Sequence, residues 1–259
     1  MVNIRALFCI LASVLLFTCD LPHQPGPMPT DIVETEFEPG LNILGVLRAD
    51  EIPGNSFMNI NRALTTEEIY SDTIENFSPE VEYVQILRLR DSSLTFFTQS
   101  NVNPQDWEDY VNPMLHARSG ETYELEIYAP GFPLLTAETT IPQIPWVAKG
   151  SWVKDPGLLE LDLDHHPSAF EYKLYLYFGS TALEKVVKPN DNDKIPVSWE
   201  YDSNLGSPHT LEVFALDENL TRYGNSPISF IPNTYHPDGS TVEGGYGCFG
   251  AVAVSRYDL

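Results

Sequence analysis

The residue types best suited to chemistry gather in one short segment that contains Asp162, Asp164, His165 and His166. Carboxylates and imidazoles are ligands that Zn²⁺ takes in proteins. On a continuing strand His166 would share a face with the two aspartates, whereas His165 would point away, because neighbouring side chains alternate. Pro167 follows immediately and favours a turn at this point. The pattern therefore predicts a solvated strand end, with a zinc site as the alternative.

The other candidates for catalysis or ion binding are weaker. The segment 190–193 reads NDND and offers oxygen ligands that suit Ca²⁺, but it lacks the glycine and the distal glutamate of an EF-hand loop. It is predicted to be a polar hairpin tip. The HExxH, GxSxG, GxxxxGK[ST] and paired CxxC patterns are absent. The sequence predicts a non-enzymatic protein with no catalytic residues, no metal and no cofactor.

Two aromatic residues are candidates for recognition. Trp107 and Tyr110 lie in a polar segment rich in helix and strand breakers, 101–113, which is predicted to cross a protein surface. Exposed rings of this kind stack on sugars or anchor a protein partner. The alternative is that both rings pack over the end of a sheet. The other tryptophans adjoin strand patterns and are predicted to pack in a core or between domains: Trp146, Trp152 and Trp199.

The charge balance excludes one large class of partners. The chain has 259 residues, with 37 Asp and Glu against 14 Lys and Arg, which gives a formal net charge of −23. Nucleic-acid binding depends on clustered Lys and Arg, so no nucleic-acid partner is expected. Hydrophobic residues make up 42% of the chain, which is enough for packed cores.

The N-terminus carries the features of a targeting segment. Arg5 precedes an uncharged apolar run, 6–17, which is too short to span a membrane and is typical of a signal peptide. The sequence LFTC at 16–19 resembles the lipobox of bacterial lipoproteins, which predicts a signal peptide at 1–18 and acylation of Cys19. The alternative is ordinary signal cleavage near Thr18.

Residues 19–34 are predicted to form a Pro-rich tether that follows the lipidated cysteine. Loss of the signal and acylation of Cys19 would leave Cys248 as the only free thiol, so no disulfide framework is expected. Cys248 lies between glycines and next to Phe249, which indicates a buried apolar position. The surrounding glycines are predicted to form a tight strand.

The body of the chain is predicted to be all-β, with two tandem immunoglobulin-like β-sandwiches at 35–145 and 146–259. The prolines at 142–145 place the boundary between them. Alternating or apolar runs bounded by turn residues predict the strands, whereas 64–76 and 104–115 hold at most a helical turn or two. The predicted strands are 41–47, 56–62, 82–90, 93–99, 120–128, 134–141, 158–164, 171–177, 197–199, 209–215, 228–231 and 251–254.

Four segments, together with the lipobox-like end at Cys19, resemble a known family. They are LNILGVL at 41–47, GETYELEIY at 120–128, LTAETTIP at 135–142 and GGYGCFGA at 244–251. Their order resembles the domain-of-unknown-function 4249 family of Gram-negative cell-envelope lipoproteins. The resemblance implies an outer-membrane or surface lipoprotein, often encoded beside a TonB-dependent receptor, and it implies no catalytic residues.

Together these patterns predict a lipid-anchored protein of the outer membrane that binds or scaffolds as an accessory to a TonB-dependent uptake receptor. The receptor is expected from the resemblance alone. A surface adhesion or structural module is the main alternative, and an envelope hydrolase is a further one. A cleft of acids with raised pKa values would favour the hydrolase, and a broad apolar patch would favour a permanent partner.

Overall fold

The computed structural model describes most of the chain beyond the predicted tether. The described residues are 39–65, 68, 78–100, 109–148, 153–190, 192–226 and 239–259, with the backbone alone at 109 and 153–155. The predicted signal peptide, Cys19, the Pro-rich tether, Trp107, Trp152 and the predicted strand 228–231 lie outside them.

The described residues form fifteen strands, so the all-β prediction is confirmed. They also include a short 3₁₀ helix (Ser203–Leu205) and a helix α1 (Glu218–Gly224). The strands are β1 (Leu41–Ala49), β2 (Phe57–Arg62), β3 (Tyr83–Arg88), β4 (Ser93–Gln99), β5 (Asp109–Val111), β6 (Thr122–Tyr128), β7 (Leu135–Thr140), β8 (Trp146–Val147), β9 (Val153–Asp155), β10 (Leu158–Asp164), β11 (Glu171–Phe178), β12 (Thr181–Val187), β13 (Lys194–Glu200), β14 (Thr210–Leu216) and β15 (Gly245–Asp258).

These strands build one long sheet and one short one. The long sheet runs in the order β12-β11-β14-β15-β1-β2-β5-β4-β3-β6-β7. The short sheet has the order β13-β10-β8, with β9 also paired to β10. Apart from the contacts of β15, the strand pairs join β1–β7 to one another or β8–β14 to one another.

The last strand changes the predicted domain organisation. The segment Gly245–Ala253 of β15 pairs in parallel with β1, and Val252–Asp258 pairs antiparallel with β14. Residues Phe37–Leu259 consequently form one compact unit. The predicted division into two independent sandwiches near residue 145 needs correction, because the end of the chain completes the sheet of the N-terminal strands.

Glycine allows β15 to lie this close to β1. Gly247 has φ 103°, and a Cβ atom at this position would meet the backbone carbonyl of Ile43. Only glycine adopts this conformation without strain while leaving room for the neighbouring strand. The prediction that the glycine-rich tail forms a tight strand is confirmed.

The core runs continuously through both groups of strands. Its buried side chains extend from Leu41 and Ile43 in β1 to Ala253 in β15. Trp199 is buried as predicted, but Trp146 is 55% exposed, so its predicted role in packing is wrong. Cys248 is fully buried, and this burial raises the pKa of its thiol to about 12.

In the described part of the chain, no helix is long and apolar enough to cross a membrane.

Candidate functional site

Of the two predicted aromatic contact residues, Tyr110 lies among the described residues. Tyr110 lies on β5 between β2 and β4 and is only 7% exposed. Its ring belongs to the core, so the predicted surface contact is corrected to the packing alternative. Trp107 and the lipidation residue Cys19 lie outside the described residues, and their predicted roles stay predictions.

The histidine pair takes part in local hydrogen bonds at the end of β10. His165 Nδ1 lies 3.2 Å from the hydroxyl oxygen of Tyr172, and His166 Nδ1 lies 2.8 Å from that of Ser168. Asp164 lies opposite Lys194 on β13. Across the described ranges, no group of three or more His, Cys, Asp or Glu side chains is placed to hold a metal ion.

A concave surface lies elsewhere, on the N-terminal strands. It is a groove of about 740 Å³ between the outer face of β3, β6 and β7 on one side and α1 with the segment 240–243 on the other. Four glutamates and one arginine supply its charged groups: Glu124, Glu126, Glu138, Glu243 and Arg222.

Strand register places groove residues, together with Phe96 beside the groove, in two rows that cross the sheet. The first row runs through Leu94, Leu87, Glu124 and Glu138 on β4, β3, β6 and β7. The second row, in the same strand order, consists of Phe96, Gln85, Glu126 and Thr136. Adjacent strands are about 4.8 Å apart, so each row spans about 14 Å. The first row therefore passes from apolar to acidic across the face.

One of the glutamates is held by its neighbours. Glu126 Oε1 accepts hydrogen bonds from the Tyr83 hydroxyl at 2.6 Å and from Gln85 Nε2 at 2.9 Å. The hydrogen bond to Glu126 raises the pKa of the Tyr83 phenol. Two strongly directed contacts fix the orientation of this carboxylate on the sheet.

Glu124 and Glu138 are placed differently. They lie directly opposite each other on β6 and β7, and both are exposed. Within the described ranges, neither carboxylate forms an ion pair. Like charges at directly opposite positions destabilise a sheet. The two acids at these facing positions therefore repel each other.

Most arginines of the described chain pair with acids outside the groove. The ion pairs are Arg48–Asp50, Arg62–Glu68, Arg88–Asp91, Arg90–Glu121 and Arg256–Glu212. Arg222 lines the groove, and its Nη2 donates to the carbonyl oxygen of Ser240 at 2.6 Å. With four glutamates and one arginine, the groove lining still has a net negative charge.

Helix α1 is fixed against the sheet by buried polar contacts beneath this wall of the groove. Asp217 caps the helix by accepting from Leu220 N at 2.8 Å, and it also accepts from the Thr139 hydroxyl on β7. Burial raises the pKa of the Asp217 carboxyl. Asn219 Nδ2 donates to the carbonyl oxygens of Glu138 at 2.8 Å and of Phe249 at 2.9 Å. These contacts connect α1 to β7 and β15.

An apolar surface adjoins the acidic one at β4. Leu94 is 49% exposed and lines both the groove and a shallower depression of about 520 Å³. That depression also contains Phe96, which is 51% exposed, and Met114, which is 85% exposed. Leu94 thus marks the boundary between an apolar surface and the acidic groove.

Part of the groove has a clear signal in the sequence. The alternation in 120–128 places Glu124 and Glu126 on the face opposite Tyr123, and β6 confirms this. The position of Glu138 opposite Glu124 depends on strand register, which the sequence analysis did not derive. Asp217 followed by Glu218 is a helix N-terminal signal that the sequence analysis missed.

Comparison with known proteins adds weak similarities. No family model matches the chain, and no curated protein matches it. A pullulanase from Anoxybacillus sp. LM18-11, solved with maltotriose, is similar at 11% identity and a TM-score of 0.24, over 68% of this chain and 24% of the pullulanase. The chicken interferon gamma receptor alpha chain is similar at 12% identity and a TM-score of 0.22, over 69% of this chain and 88% of the receptor chain. At these scores neither similarity indicates a function.

Proposed function

We propose that this chain is a non-enzymatic, lipid-anchored protein of the outer membrane that binds or scaffolds a partner. Its anchor is the acylated Cys19, and its partner is a TonB-dependent uptake receptor. The observation that carries the binding role is the groove on β3, β6 and β7, where acids without ion pairs in the described chain adjoin exposed apolar side chains. Interaction surfaces commonly combine an apolar region with a charged periphery.

The lining of the groove favours a protein partner over a stacked sugar. Its described side chains are acidic, amide, hydroxyl and aliphatic, with one arginine and without an aromatic ring. Sugar recognition generally uses aromatic faces, whereas aliphatic side chains beside charges suit a complementary protein surface. The rigid attachment of α1 supports this role, because a preformed surface loses little entropy on binding.

The anchor can be tested by growth with a labelled fatty acid. The wild-type chain should incorporate the label and fractionate with the outer membrane, and Cys19→Ala should do neither. Cys248→Ala is the matched control, because it removes a buried thiol and should leave labelling unchanged. A labelled Cys19→Ala chain, or an unlabelled wild-type chain, would contradict the proposed anchor.

The partner can be tested by affinity purification from gently solubilised envelopes through a C-terminal tag. The proposal predicts recovery of one TonB-dependent receptor with the wild-type chain and its loss with Cys19→Ala. Recovery of the lipidated chain without a receptor would overturn the receptor role while leaving the anchor intact.

A further inference from the structure

The chemistry of the groove changes in a fixed direction across the sheet. Along the first row, Leu94 and Leu87 are followed by Glu124 and Glu138 over about 14 Å. Phe96 and Met114 extend the apolar end, and Glu243 adds to the acidic end. A ligand lying along this row would contact apolar groups at one end and carboxylates at the other.

We propose that the groove binds a segment of a partner protein that is apolar at one end and carries lysine or arginine at the other. The segment lies across β4, β3, β6 and β7, with its cations beside Glu124 and Glu138. This inference rests on the proposed binding function and specifies the chemistry of the partner.

Charge complementarity carries the choice of a cationic end. Glu124 and Glu138 face each other without an ion pair in the described structure, while five arginines pair with acids elsewhere. A lysine or arginine placed between the two carboxylates would replace repulsion by attraction. The free protein is thus less stable at this position than it would be with a cation bound.

The same charges make a second copy of the chain a poor occupant. Each copy has a net charge of −23, and the groove itself is acidic, so two such faces would repel each other. The exposed Leu94 and Phe96 would favour self-association, but only where the acids are kept apart. A partner segment with an apolar end and a cationic end would match both ends of the row.

The direct test uses the full chain purified in neutral detergent and a defined peptide, Leu-Ser-Leu-Ser-Lys-Ser-Lys. Every second side chain of an extended peptide faces the sheet, so its two leucines and two lysines lie on one side. Affinity is measured by isothermal titration calorimetry at low and high salt. We expect binding that weakens as salt rises, because exposed charge pairs are screened. The same peptide with glutamates in place of lysines should not bind.

Charge-matched variants locate the site. Glu124→Gln/Glu138→Gln should weaken peptide binding by about tenfold, since two exposed charge pairs are lost. Glu160→Gln/Glu200→Gln removes two exposed acids from β10 and β13 with the same change in net charge and should leave the affinity unchanged. Leu94→Ser should weaken binding by about fivefold at the apolar end.

The outcomes separate this inference from the proposed function. Equal binding by both double variants, or no binding of the lysine peptide to the wild-type chain, would overturn the inference without affecting recovery of the receptor. A concentration-dependent dimer of the wild-type chain that Leu94→Ser abolishes would assign the groove to a second copy and would also overturn it. A rise in melting temperature for Glu124→Gln/Glu138→Gln shows that its weaker binding does not come from unfolding, and it would support the inference.

Discussion

Facing positions on adjacent strands place acids in two contrasting ways in this molecule. On β6 and β7, Glu124 lies opposite Glu138. On the C-terminal strands, Asp164 lies opposite Lys194, and Glu212 lies opposite Arg256 with 3.8 Å between the charged atoms. These C-terminal positions thus set opposite charges across from each other, whereas Glu124 and Glu138 set like charges across from each other.

The difference indicates which face is available for a partner. A self-balanced face gains little from an external cation, because its carboxylates already have neighbours of opposite charge. The face with two like charges is less stable in the free protein, and a bound cation would relieve that repulsion. Functional surfaces commonly carry a stability cost of this kind. The predictions below test whether these acids differ as the comparison requires.

The largest effect is expected at the buried acid beneath the groove. Asp217→Ala removes the cap of α1 and leaves the buried Thr139 hydroxyl without its acceptor, which should lower the free energy of unfolding by about 2–3 kcal/mol. Urea denaturation of the full chain measures the change. Asp217→Asn is the matched control, since its amide oxygen can still cap the helix. An equal loss in both variants would show that the hydrogen bonds are not responsible.

The pH dependence of stability should also distinguish this acid from those in the groove. Burial raises the folded-state pKa of Asp217 above its unfolded value, so its contribution is fully present at low pH and is lost as pH rises through the raised pKa. The free energy of unfolding of the wild-type chain should therefore fall relative to Asp217→Asn as pH increases from about 4. A difference between the two proteins that stays constant with pH would contradict the assignment.

A smaller effect is expected at the exposed pair. Glu124→Lys converts a like-charge pair into an opposite pair and should raise the free energy of unfolding by about 0.5–1 kcal/mol at low salt. Glu160→Lys is the matched control, because Glu160 lies opposite Ser198 and no repulsion is relieved. Urea denaturation at two salt concentrations measures the free energy of unfolding of both variants. A gain of the same size in the control would show that Glu124 is not destabilised by facing Glu138.

The smallest effect is expected from placing two like charges opposite each other on the C-terminal strands. Lys194→Glu places a glutamate opposite Asp164 and should lower the free energy of unfolding by about 0.5 kcal/mol, with the loss reduced by salt. Lys194→Gln should cost less, since it removes an attraction without adding a repulsion. Equal losses of stability in the two variants would show that repulsion between facing acids does not contribute to the free energy of unfolding here.

Much of the strand content could be predicted from the sequence because alternation is local. The segments 93–99 and 158–164 match β4 and β10, and the alternation in 120–128 places Glu124 and Glu126 correctly. The short β5 lies within 104–115, where the sequence predicts at most a helical turn or two. Its Tyr110 is buried because the side chain belongs to the hydrophobic core, and no local pattern contains that information.

The parts that could not be predicted depend on contacts between distant residues. The parallel pairing of β15 with β1 joins positions about 200 residues apart in the chain, as between Leu41 and Gly245. Likewise, Glu138 faces Glu124 only because β7 takes one particular register on β6. Slipping that register by one residue would turn Glu138 to the other face. The site therefore required the three-dimensional structure, although its acids were visible in the sequence.

The most direct test of the account is carbodiimide labelling of carboxylates in intact envelopes and in the purified chain, read out by mass spectrometry. If the groove is occupied in its native setting, Glu124, Glu138 and Glu243 should be labelled less in envelopes than in the purified protein. Glu160 and Glu200 should be labelled equally in both. Equal labelling of the groove acids in the two preparations would contradict the central claim that this face binds a partner.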